Sequence, residues 1–377
     1  MHRRGLIGLG GALAFGGILS NAAPASAKAA RTARGAPSQA FFEAMNAAPL
    51  PGLGEFRHQV VLGPFAPDVR RMHPAYSPHG LVLDAGWIYA QFRDSDANIY
   101  TCLRKVAGYW TGGLSIFTNA GADQLKFHPR GTETHAGALQ VDAGDDRIAW
   151  SSGMFQSDPR KRFHYAQTGT GCEWQEGDFL SIRARLLQPG MQWFDTHADG
   201  GLYGLHVHQA EGEILGRPVK GWFGYDFIYH PPHRPWEVGP YPNRLEVAYH
   251  TLANEYDDGS IECGMLCYGL EGWTFAILSD GTRLTHCARD VDVRIVRRPD
   301  GFPEEVLYSF DGVEYHWHAD PRGRLVDFTS AYGGAYRGSE GHCQRVGDRR
   351  RIVNGLGWID FFSDDRVAGK LVDRIAR

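Results

Sequence analysis

Apolar and polar positions alternate along most of this chain in short runs and hardly ever recur at helical spacing. A period of two marks half-buried β-strands. Runs rich in Val, Ile, Leu, Tyr and Trp stand at Leu81–Leu83, Trp87–Phe92, Gly113–Phe117, Ala138–Val141, Phe179–Leu187, Gly201–His208, Leu245–His250, Gly272–Ser279, Val291–Val296 and Glu305–Phe310. Asp-Gly pairs at 258–259, 280–281, 300–301 and 311–312 each fall between two such runs. That is the strongest short-range sign of a hairpin. The pattern predicts an all-β chain of antiparallel hairpins. One helix is expected at Ser38–Ala48, capped by Ser38, apolar at Phe41, Phe42 and Met45, and stopped by Pro49. A strand end at Gln188-Pro189-Gly190 precedes Gly200-Gly201, so the expected division is a lead-in and helix over 28–54, a β domain over 55–195 and a second over 196–377. A single large sandwich is the alternative.

The first 27 residues depart from this pattern. Arg3-Arg4 precedes an apolar stretch from Gly8 to Leu19, and Ala25-Ser26-Ala27 offers a small-residue cleavage site, as in a secretory signal. The arginine pair resembles that of a twin-arginine signal, although ordinary secretory signals also begin Arg-Arg. The expected location is therefore exported, periplasmic or extracellular, by the twin-arginine route. Six cysteines in such a chain allow up to three disulfides. Cys263 and Cys267, however, alternate with Ile261 and Met265 on one strand face, which reads as core rather than as zinc ligands.

Composition narrows the function classes. With 43 % hydrophobic, 22 % charged and 12 % aromatic residues among 377, the chain is no disordered segment. A net charge of −4 gives no basic footprint for nucleic acid. Beyond the signal no apolar run is long enough for an integral membrane helix.

Residues 193–250 carry the densest mixture of polar and aromatic groups. On a strand, His206 and His208 point the same way, and Leu205 and Val207 the other. In Trp222–Tyr229, Trp222, Gly224, Asp226 and Ile228 share one face, while Phe223, Tyr225, Phe227 and Tyr229 share the other. Asp226 is a lone acid in an aromatic strand. Burial there would raise its pKa and make it a proton donor. The competing reading is a structural hydrogen-bond acceptor.

The run Gln188–Tyr229 contains a Pro-Gly strand end, an aromatic strand, a Glu-Gly-Glu to Gly-Arg-Pro-Val-Lys-Gly hairpin and the strand Gly221-Trp-Phe-Gly-Tyr-Asp226. It resembles the lipocalin-like family that includes carotenoid hydratases of the hydroxyneurosporene synthase type. The resemblance implies two consecutive antiparallel lipocalin-like barrel or sandwich domains with a conspicuous Asp near their junction. Phe227 and Ile228 replace the His and Trp that usually follow that Asp. The implied chemistry is acid-assisted addition, elimination or isomerisation on a small apolar, terpenoid-like molecule, without a cofactor. Asp226 would be the acid, His206 or His208 a relay or water-positioning base, and Tyr203, Trp222, Tyr225, Tyr229 and Trp236 the cavity wall.

Three alternatives stand beside it. His206-x-His208 with Glu211 and Glu213 is similar to the first motif of cupins and would hold one transition metal; His316-x-His318 has the same spacing. Ten Trp with Glu133, Glu173, Glu176 and Glu246 suit a carbohydrate-active sandwich. A non-catalytic carrier of hydrophobic ligands is the last.

Overall fold

The computed structural model describes residues 60–363, except 196–199, 236–238, 240 and 242–244, together with the backbone of 374–375. The export signal, the helix expected at Ser38–Ala48 and Trp236 lie outside the described residues. Within them the chain is all-β, as its alternation predicts, with short 3-10 turns between strands. No helix among the described residues is long and apolar enough to cross a membrane.

Fifteen strands between Val60 and His230 form one sheet, and ten, from Glu246 onward, form a second. Pairing is antiparallel apart from the short parallel contact of Asp292–Arg297 with Arg374–Ile375 and an isolated bridge, Leu125 to Leu325. The sheets do not part at 195/196. Leu202–Ile214 and Arg217–His230 pair with each other, the first also with Leu180–Leu186 and the second with Val82–Arg93, so both belong to the first sheet. The change of sheet falls between His230 and Glu246.

All four Asp-Gly pairs turn a hairpin. Gly259, Gly281, Gly301 and Gly312 take φ of 79°, 85°, 85° and 74°, which glycine adopts without the Cβ penalty. The turn at Leu215-Gly216 joins Ile214 to Arg217, both of its residues at positive φ (53° and 74°). Two central residues at positive φ match the twist of the flanking strands, and a two-residue loop fixes their register.

Three cores result. Strand Arg217–His230 is buried without a break from Gly221 to His230, because each of its faces meets a different one. Phe223, Tyr225, Phe227 and Tyr229 fill the interior of the first sheet, and Trp222 and Ile228 join a core shared by the two sheets. The second sheet has its own interior, with Tyr308, Tyr315 and Trp317. Each such buried side chain contributes about 1.5–3 kcal/mol through its apolar surface. Polar contacts tie the sheets together: Trp222 Nε1 donates to the Asn354 carbonyl at 3.2 Å, and Arg93 pairs with Asp320 at 3.1 Å. Cys263, Met265 and Cys267 lie in the shared core, and all six cysteines are free thiols.

Candidate functional site

Where the two sheets face each other they enclose a cavity of about 110 Å³. Its walls are mainly apolar and aromatic, including Trp87, Tyr89, Phe117, Tyr203, Tyr249 and Trp358. Three carboxylates reach it: Asp226 from the first sheet, Glu246 and Asp360 from the second.

Asp226 arrives there by register. It pairs with Leu205 on one side and Trp87 on the other, so its side chain shares the inward face with Leu205, Tyr203 and Ile228. The Trp87 amide donates to Asp226 Oδ1 at 3.1 Å and the Tyr203 hydroxyl to Oδ2 at 2.9 Å. Neither donor is charged. Asp226 is 8 % exposed, and burial pushes its pKa up to about 8, against the two hydrogen bonds that lower it; nearby Asp360 adds to the rise. A carboxyl group taken from water into apolar surroundings keeps its proton unless a cation compensates it. Tyr203 and Tyr89 are likewise held neutral, by burial first and by the proximity of Asp226 second.

Asp360 accepts from the Tyr336 hydroxyl and, at 2.8 Å, from Trp358 Nε1. Burial raises its pKa to about 6, less far than that of Asp226. At neutral pH the cavity thus presents a protonated carboxyl beside an ionised one, the division of labour that general acid–base chemistry needs.

Gly224 shapes the same wall. It pairs with Tyr89, and a Cβ there would stand 2.3 Å from the Tyr89 ring. The missing side chain lets the phenol lie across the strand toward the cavity.

Other residues singled out from the sequence lie elsewhere. His206 and His208 face the interior of the first sheet, away from Asp226: His206 pairs with Tyr225, and His208 stacks on Phe223 at 4.2 Å while meeting Gln167 Oε1 at 3.0 Å. Burial drives the His206 pKa down to about 3 and that of His208 well below its usual range, so both are neutral packing groups. Glu211 and Glu213 are exposed, and alternation turns them to the face opposite the two imidazoles. These four do not converge on a metal.

Tyr225, stacked against both Trp150 and Tyr165, and Tyr229, bonded to the Arg71 carbonyl, also belong to the first sheet's interior. Trp222 shares the face of Asp226 but not the cavity wall. Of the acids considered for sugar chemistry, Glu133 and Glu173 are exposed, and Glu176 is buried against Arg104. Glu246 alone of that set reaches the cavity. The sequence reading missed Asp360, although Trp358-Ile-Asp360-Phe-Phe362 repeats the signal that drew attention to Asp226, one acid in an aromatic strand.

No protein-family model matches the chain, and no curated protein is similar to it in sequence. Among solved structures it is similar to a protein assigned as AttH from Nitrosomonas europaea (15 % identity, TM-score 0.41, covering 74 % of this chain and 92 % of the other). It is also similar to CghA (12 %, 0.37, 74 % and 88 %) and to kievitone hydratase from Nectria haematococca (9 %, 0.39, 79 % and 94 %). At these TM-scores the likeness carries no argument, and the functional reading rests on the cavity itself.

Proposed function

We propose that the protein is a hydratase or lyase acting on a small apolar molecule bound between its two sheets. The observation that carries this reading is Asp226, a carboxyl group held in its protonated form by an apolar cavity and hydrogen-bonded only to neutral donors. In the addition direction, Asp226 gives its proton to one carbon of a C=C bond. The flanking aromatic faces stabilise the developing cation. Water attacks the other carbon, and the Asp360 carboxylate takes the proton that this water releases. Return of that proton to Asp226 through solvent resets the site, and elimination of water is the reverse. The cavity, about 110 Å³, is smaller than the apolar void of about 150 Å³ that accepts benzene, so it suits a small alkene unit rather than a whole ring system.

The test is incubation with a panel of apolar alkenes, including acyclic and cyclic terpenoids, with mass spectrometry for gain or loss of one water. Turnover by the native chain and its absence in Asp226→Asn are expected. Undiminished turnover by that variant would sink the assignment. Independently, carboxyl-carbon NMR should show two resonances titrating near pH 8, from Asp226 and Glu340, of which Asp226→Asn removes one; if the resonance lost in that variant titrates near pH 4 instead, the protonation argument is overturned.

A further inference from the structure

The second His-x-His pair lies in different surroundings, on the outer face of the second sheet and apart from the cavity. Val313–Arg324 alternates Tyr315 and Trp317 inward with His316 and His318 outward. The neighbouring strand Pro303–Phe310 places Glu305 directly across from His318, on the same outer face. Cross-strand partners stand about 4.5–5.5 Å apart at Cβ, so the three side chains converge. One oxygen of the Glu305 carboxylate lies 3.4 Å from His316 Nε2 and the other 3.9 Å from His318 Nδ1. The imidazole centroids are 3.7 Å apart. Among the described residues this is the one group of three His, Cys, Asp or Glu whose ligand atoms all lie within 4.8 Å of one another.

We propose that Glu305, His316 and His318 form a site for a divalent late first-row transition ion. Two imidazoles and one carboxylate suit Zn, Cu, Co or Ni, and Mg or Ca would call for oxygen donors throughout. Three protein ligands leave room for water to complete the coordination. Each donor sits on a paired strand rather than a loop, so the backbone holds the set together before any ion arrives. On the third strand, His342 stands directly across from His318, so a further imidazole shares this stretch of the sheet. The competing description is a surface ion pair between Glu305 and protonated imidazoles, which would have no use for a metal.

The experiment is titration of the untagged full chain with Co²⁺, followed by visible absorption, and with Cu²⁺, followed by electron paramagnetic resonance. One ion per chain with nitrogen hyperfine structure is expected. His316→Ala and His318→Ala should each weaken binding at least about tenfold, and Glu305→Gln by a smaller factor. His286→Ala, a histidine on another strand of the same sheet, should leave the affinity unchanged. Equal affinity in the native chain and in the His316→Ala/His318→Ala double variant would overturn the site, as would loss of binding in His286→Ala alone.

Discussion

Glu176 and Asp226 are both buried carboxyl groups of the first sheet whose pKa burial raises, and they differ in what stands beside them. Glu176 faces the interior of that sheet, where Arg104 Nε and Nη2 approach its two oxygens at 2.5 Å and Trp174 Nε1 donates at 2.9 Å. The remaining nitrogen of Arg104 is occupied by Thr111, the Gly112 carbonyl and the His135 carbonyl. Every polar atom of that pair has its partner, and the pair is an internal brace. Asp226 faces the cavity with a phenol and a backbone amide for company. Burial alone does not decide what a carboxylate does. Burial pushes both carboxyl groups up; at Glu176 the Arg104 charge and its hydrogen bonds oppose that rise and tie the group into a brace, whereas Asp226 has only neutral donors to set against it.

The largest effect expected from breaking this contrast is on catalysis. Asp226→Asn should cut turnover of an identified substrate by about 10²- to 10⁴-fold, the usual range for a positioned general acid, with native circular dichroism retained. Glu176→Ala should act on stability instead, by about 3–5 kcal/mol in urea unfolding, because it strands the Arg104 guanidinium in a dry core. A loss below about 1 kcal/mol would show that the pair is no brace.

The next effect is on pH dependence. The folded-state pKa of Asp226, about 8, lies above the ordinary value of about 3.9, so the native chain holds a proton that the unfolded chain gives up. This contribution is fully present below about pH 4 and is lost as the pH rises through 8. Its span by pH 7 is on the order of 4 kcal/mol. Asp226→Asn should flatten that slope, and unfolding midpoints at pH 5 and pH 8 would show whether it does. Activity should pass through a maximum between the Asp360 pKa near 6 and the Asp226 pKa near 8.

The smallest effect concerns Tyr203→Phe. It removes a donor that favours the ionised form, so the alkaline limb of the activity profile should move up by about one unit or less. A shift downward would mean that the phenol does not hold the carboxylate.

Much of the fold was legible because its signals are local. Alternation and Asp-Gly turns depend on neighbours in sequence, and Asp226 stood out as one acid among aromatics. The partners of Asp226 were misassigned where the argument needed register. A two-residue turn at 215–216 pairs residue 226 with 205 and residue 225 with 206, which puts the imidazoles on the far side of the sheet. The rest of the cavity was beyond reach for another reason. Tyr89, Glu246, Tyr336 and Asp360 come from segments far apart in the chain, and the packing of one sheet on another leaves no trace in spacing.

Because the cavity is walled by both sheets, anything that fills it bridges them. Its free energy of binding then adds to that of keeping the sheets together, by mass action: about 2.7 kcal/mol at a ligand concentration one hundred times Kd. A rise in Tm across a compound library would therefore register an occupant before any reaction is known, and the protein becomes the detector for its own substrate.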